Sequence, residues 1–227
     1  LLLAVARCPV ATDCLTGNAS NACTSIVGTQ GADQDDFQLP EPWTGHLDEA
    51  PILFIASNPS ISPHEIFPRG DWADDQIVAF FQDRFDSGGG WMSGLRTLLA
   101  DGTYAERSNH YYAQTRARAS ELLGRTAILG RDVAFTEVVH CKSRKEAGVA
   151  DALDECATRY LTAILAASPA RVFIVAGRAA QSAFERAFSS VRVAEGLAHR
   201  RHHALTQGVA RQRSNRGVTQ RGHLRPR

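Results

Sequence analysis

Several things are missing from this chain, and each absence narrows what it can do. No apolar run in its 227 residues approaches the roughly 18 residues that a membrane-spanning helix needs, so no membrane role is expected. The opening Leu-Leu-Leu-Ala-Val-Ala-Arg-Cys lacks the basic start and the length of a secretory leader, and a cytoplasmic location is expected. There is no Gly-x-Ser-x-Gly elbow, which argues against a serine hydrolase built on Ser57 or Ser60. The one methionine, Met92, is internal, which suits either an N-terminal fragment or an unusual start codon. Nothing in the composition is collagen-like or disordered throughout: 44% of residues are hydrophobic and 22% charged, enough for one sizeable core in a monomer with tails.

The net charge of +1 conceals a split, because residues 191–227 hold nine arginines against the single acid Glu195. That stretch reads as a basic tail, either disordered or aberrant, and its charge suits phosphate backbones. Residues 1–50 have weak periodicity, three cysteines and a turn-rich end at Leu39-Pro-Glu-Pro-Trp-Thr-Gly45. They read as a loop-dominated cap whose order depends on a metal. Residues 51–190 between them form the main domain.

Within that domain, apolar runs at 52–55, 133–139 and 171–176 alternate with helical patterns at 74–86, 108–123, 150–166 and 178–188, and a short helix is expected at 92–100. The alternation predicts an α/β fold, a three-layer αβα arrangement around a short parallel sheet with right-handed crossovers. Ligands of such sheets bind beyond the carboxyl ends of the strands, where Asn58, Glu137 to Cys141 and Gly177 fall.

Two constellations carry chemistry. In Ile52-Leu-Phe-Ile-Ala-Ser-Asn58-Pro59-Ser60 an amide follows a strand directly and proline forces a turn, so the amide can hold a water by accepting and donating together. The plain alternative is an Asn-Pro turn that only ends the strand. The second constellation is the five cysteines at 8, 14, 23, 141 and 156. In a cytosolic chain they suggest an iron–sulfur or zinc site closing the domain on itself, or else reduced thiols, with Cys156 on a buried helix face.

Together these residues resemble the uracil-DNA glycosylase superfamily, and its iron–sulfur-cluster branch in particular. The block Thr136-Glu-Val-Val-His-Cys141-Lys142, Cys156-Ala-Thr-Arg-Tyr-Leu161 and Pro169-Ala-Arg-Val-Phe-Ile-Val-Ala-Gly-Arg-Ala-Ala180 agrees with that branch in order, spacing and residue type. The likeness spans roughly residues 50–188. It implies DNA as partner and hydrolysis of the N-glycosidic bond of a flipped base. Asn58 would orient the attacking water, the Ser57-Asn58-Pro59-Ser60 backbone would contact the base, and Phe67 would stack on it. The cysteines matching the cluster ligands are Cys14, Cys23, Cys141 and Cys156, with Cys8 as the alternate and zinc as the competing ion for a [4Fe–4S] cluster.

Two departures stand out. Where the family reads uracil with an asparagine, this chain has Glu137; an ionised carboxylate only accepts, which suits donor edges such as cytosine N4–H₂ or guanine N1–H with N2–H₂. The histidine-bearing final motif has no counterpart beyond residue 190, although His199, His202 and His203 lie at a similar distance. A catalytically degenerate nucleic-acid-binding protein is therefore the alternative. His140 is expected at the surface or on phosphate, His64 in solvated loop, and Lys142-Ser-Arg-Lys145 either on phosphate or as a solvated turn.

Overall fold

The computed structural model describes residues 1–17, 21–31, 36–62 and 64–194, with side chains through 189. The rest of the basic tail, with His199, His202 and His203, lies outside the described residues.

The first fifty residues hold more regular structure than a loop-dominated cap. Three short helices, α1 (Leu2–Ala6), α2 (Pro9–Leu15) and α3 (Thr24–Gly28), precede a two-residue strand, β1 (Trp43–Thr44). Pro9 opens α2, where a missing N–H leaves no hydrogen bond unmade. Val5, Ala6 and Ile26 are fully buried in the same apolar cluster as Leu53 and Ile55, so this segment has apolar surface of its own to bury.

The apolar run after Pro51 forms β2 (Ile52–Ala56). In α4 (Asp74–Gln82), Gln76 Oε1 accepts from the Ala73 N–H at the start, and Ile77, Phe80 and Phe81 form the buried face. Residues 92–97 are not helical. They form an antiparallel hairpin, β3 (Met92–Ser93) and β4 (Arg96–Thr97), turning through Gly94 and Leu95 at φ of 57° and 66°. Two successive left-handed residues close a two-residue hairpin and are incompatible with a right-handed helix. Then α5 (His110–Leu123) begins where Asn109 Oδ1 accepts from the Tyr112 N–H at 3.3 Å, and ends at left-handed Gly124.

Strand β5 (Val133–Glu137) leads to α6 (Val149–Cys156), a π-helical turn over Ala157–Leu161, and α7 (Thr162–Ala167). The single helix expected over 150–166 is thus wound wider for one turn immediately after Cys156. β6 (Val172–Val175) and α8 (Arg178–Ala194) complete the described chain.

The result is an α/β protein with a mixed four-strand sheet, mostly parallel, flanked by helices, in the order β1-β5-β2-β6. β5, β2 and β6 are parallel, as expected, whereas the edge strand β1 runs antiparallel to β5, with Trp43 opposite Thr136. Pro40 and Pro42 bend the chain back there, and Thr136 Oγ1 donates to the Pro42 carbonyl at 2.8 Å. Proline, which cannot donate to a ladder, belongs beside an edge strand.

Side-chain alternation divides the core. Ile52, Phe54, Val133, Phe135, Val172 and Ile174 pack toward α5, with Tyr112 and Ala119. Leu53, Ile55, Ala134 and Phe173 pack with Tyr160, Leu161, Ile164 and Phe184 of the later helices. β2 is central with β5 and β6 on either side, so the chain crosses from β2 to β5 and then back over β2 to β6, a reversal of the kind beside which such sheets bind ligands, at the strands' carboxyl ends.

Candidate functional site

The loops after β2 and β5 stay zipped together beyond the strands. Val138 N–H donates to the Ala56 carbonyl and Val139 N–H to that of Ser57, both at 3.0 Å, and Ser143 N–H donates to the Pro59 carbonyl at 3.1 Å. Asn58 sits in this seam, half-buried, with Pro59 buried and Ser60 exposed. Its Nδ2 donates to Ser143 Oγ at 2.9 Å, to the Pro59 carbonyl at 3.0 Å and to the Cys141 carbonyl at 3.4 Å. No described protein group donates to its Oδ1, which leaves that atom an acceptor for a water. Ser57 Oγ is engaged with the carboxylate of Glu146.

Beside the seam lies a buried charged centre. Glu41, Glu65 and Glu137 are 5%, 9% and 6% exposed, and Arg84 and Lys142 are 4% and 2% exposed. Arg84 pairs with Glu65 and reaches Glu41 Oε1 at 3.5 Å, and Thr44 Oγ1 donates to the same Glu41 oxygen at 2.7 Å. Glu137 Oε2 is buried without a hydrogen-bond partner. Burial, then the Glu41 charge, holds the Glu137 carboxyl well above its ordinary range, although Lys142 and Arg84 pull the other way. Burial also pushes the Lys142 ammonium down to about 8, with Arg84 adding to the effect and the carboxylates opposing it.

Phe67 is part of this centre and is 2% exposed. Its ring meets Phe80 and Phe81 edge-on at 5.2 and 5.6 Å, and Lys142 Nζ lies over it, 3.3 Å from the centroid. The face expected to receive a base is thus held by an ammonium. Lys142 and Ser143 are buried, so the solvated-turn reading fails for them; only Arg144 and Lys145 of that run are exposed. His140 is likewise not a surface group. It is 1% exposed, its Nδ1 lies 2.8 Å from the Glu41 carbonyl oxygen, and burial lowers its pKa to about 4, keeping the ring neutral. His64 is exposed, as a loop histidine should be.

Sequence reasoning missed Glu41, Glu65 and Arg84, although one signal was available. Arg84 falls three and four residues after Phe81 and Phe80, on the apolar stripe of α4 continued one turn.

Four cysteines from the two ends of the chain line one narrow cavity: Cys8, Cys23, Cys141 and Cys156, with His140 and Tyr160 in its wall. All four are buried and reduced. Cys14 does not line it; its sulfur contacts Asn21 Oδ1 at 3.1 Å and Thr24 Oγ1 at 3.7 Å. Burial, then the neighbouring thiols, pushes Cys23 up to about 11, and burial raises Cys156 to about 12 although the His140 N–H, donating to its sulfur at 3.4 Å, works against this. Such sulfurs want a cation between them before they ionise. Among the described residues no three cysteine sulfurs lie within 4.8 Å of one another, so they are not gathered as a compact ligand set. Tetrahedral zinc holds thiolates about 3.8 Å apart. A wider inorganic cluster asks for less convergence.

Two features stand apart from these residues. A groove of about 450 Å³ runs between α5 and the sheet, walled by Phe54, Tyr111, Arg118 and Ala176 among others, and holds none of the expected site residues. His46, Asp83 and Asp86 could hold a cation, with His46 Nε2 3.4 Å from Asp83 Oδ1 and 4.0 Å from Asp86 Oδ2. The Arg131 guanidinium already lies 3.0 Å from Asp86 Oδ2 and competes for that carboxylate.

No protein-family model and no curated protein matches this sequence.

Proposed function

We propose that this chain is a monofunctional DNA glycosylase of the uracil-DNA glycosylase kind, with a three-layer αβα fold, hydrolysing the N-glycosidic bond of a flipped, deaminated or damaged base. The observation that carries the reading is Asn58: an amide at the carboxyl end of the central strand, its N–H₂ committed and its Oδ1 free to accept. A water donating one proton to Oδ1 has its lone pair aimed at the sugar C1′. Its oxygen bonds to C1′, the C1′–N bond breaks, the base leaves with the bonding electron pair, and the water's proton returns to base or solvent.

Glu137 is the base-reading group that the resemblance implies. Ionised, it would favour donor edges; held neutral by its surroundings, it offers one donor and one acceptor, the pattern an amide has. That suits a lactam edge such as O4 and N3–H of uracil.

The cysteine centre would be structural. Cys8, Cys23, Cys141 and Cys156 are the residues that would hold it, with Cys8 in the place expected of Cys14. A [4Fe–4S] cluster asks less convergence of these sulfurs than zinc does, and when bound it would supply a cross-link between the N-terminal helices and the segment from Cys141 to Cys156.

Release of free base from uracil-, hypoxanthine- and xanthine-containing oligonucleotides tests the reading. Wild type should release at least one of them, and Asn58→Ala should lose at least a hundredfold in rate, as removal of a water-positioning group does. Base release untouched by Asn58→Ala would refute it. A second reading, binding without chemistry, is favoured by the burial of the Phe67 ring, which is 2% exposed with an ammonium over one face and has no open face for a base. DNA binding with no base released from any substrate would support it.

A further inference from the structure

A carboxamide performs the proposed role only if its oxygen, and not its nitrogen, faces the reacting water. Rotation of the Asn58 side chain by half a turn exchanges the two at small intrinsic cost, so something must decide between them. Two of the three partners of Nδ2 do so, because the Cys141 and Pro59 carbonyls only accept. Ser143 Oγ, which can donate as well, accepts at 2.9 Å and holds the group in place. Exchanging the ends would put Oδ1 against carbonyl oxygens.

Ser143 makes the shorter of the two bonds that cross from the β5–α6 loop, and its position is fixed. It is 2% exposed, its N–H is tied to the Pro59 carbonyl at 3.1 Å, and it bridges in parallel to Ser60. The same loop grips the residue before Asn58, since Ser57 Oγ meets the Glu146 carboxylate. Lys145 and Glu146 both hold left-handed backbone, at φ of 52° and 58°. Non-glycine residues adopt that conformation at a cost, and it turns the Glu146 side chain back toward β2.

We propose that Ser143 is a positioning residue for Asn58, holding the amide in place across the seam and so setting the rate of base release rather than the affinity for DNA. The proposal rests on the glycosylase reading above and assigns a role to a side chain in the loop between the two late cysteines.

The test is single-turnover release from a uracil-containing oligonucleotide, with DNA affinity measured separately on the same strand. Ser143→Ala should lower the rate constant on the order of tenfold, as a small misplacement of a reacting group does, and leave DNA affinity within about twofold. Ser143→Thr, which keeps the hydroxyl, should restore most of the rate. Because Ser143 acts only through Asn58, adding Ser143→Ala to Asn58→Ala should cost nothing further. If Ser143→Ala proves unstable in a thermal melt, Ser143→Cys keeps the volume, weakens the acceptor and carries the same expectation. A wild-type rate in Ser143→Ala or Ser143→Cys, alongside an inactive Asn58→Ala, overturns this assignment and leaves the glycosylase reading standing. Additive losses in the double variant also overturn it. A wild type that releases no base from any strand removes the parent reading and this assignment with it.

Discussion

At the scale of single residues, the buried charges of Glu41, Glu65, Glu137, Arg84 and Lys142 set the chemistry available at the sheet's edge. Three carboxyls face two cations in a dry setting, and the carboxyl without a hydrogen-bonded oxygen, Glu137, is the one on which a proton relieves the imbalance. The consequence for stability has a definite sign. The unfolded chain ionises this carboxyl near its ordinary value of 4.5, whereas the folded protein holds the proton to a higher pH. Between those two values the folded state binds more protons than the unfolded state, so stability falls as pH rises through that window. Glu137→Gln removes the titration while keeping the shape. Urea midpoints at pH 5 and pH 8 should show the variant gaining on wild type as pH rises. An equal displacement at both pH values would mean that the folded protein carries Glu137 ionised throughout. In base release the same variant should retain activity on uracil, since glutamine offers the same donor and acceptor pair.

At the scale of elements, local pattern and tertiary demand part company at identifiable places. β2, β5, β6, α4, α5 and α8 were legible because apolar runs of four or five residues and helical stripes reveal themselves without a partner. Met92 to Thr97 was not, because its hairpin depends on a left-handed leucine at 95 that no propensity favours. β1 was not, because two residues carry no period. Asn58 and Glu137 were found from strand ends and a family likeness, while the charges opposite them came from three unconnected segments. Gly148 shows what such long-range demand looks like in one residue. It caps α6 at φ 76°, and a Cβ there would lie 2.5 Å from the backbone nitrogen of Ile26 in α3. Backbone cannot swing aside as a long side chain can. Gly148→Ala should therefore destabilise the protein by about 2 kcal/mol or more, through both the left-handed backbone and the clash. Gly124→Ala, equally left-handed with open space around its Cβ position, is the control, and should lose about 1 kcal/mol in the same denaturation series.

At the scale of the whole molecule, the cysteine cavity closes a ring. Cys8 and Cys23 come from the N-terminal segment, and Cys141 from the β5–α6 loop and Cys156 from the end of α6, more than a hundred residues later. The β5–α6 loop also supplies Ser143 and the Cys141 carbonyl to Asn58, so whatever holds Cys141 in place bears on the amide. An inorganic centre in the cavity would add a cross-link over a very long span, where the entropy removed from the unfolded chain is greatest. The lining residues make the ligand set testable one sulfur at a time. Protein purified without oxygen should bind iron, with visible absorption to match, and Cys8→Ser should lose most of that iron and lower the thermal midpoint by several degrees. Cys14→Ser should keep both, because its sulfur turns toward Asn21 and Thr24 and is absent from the cavity wall. The reverse result, iron lost in Cys14→Ser and held in Cys8→Ser, would move the ligand set back to the sulfur that the family likeness pointed to. It would require α2 to turn about its axis when metal binds. Zinc in place of iron, at one ion per chain, would require all four sulfurs to draw inward from their present separation, and a change in amide exchange across α1 to α3 on metal removal would report that movement.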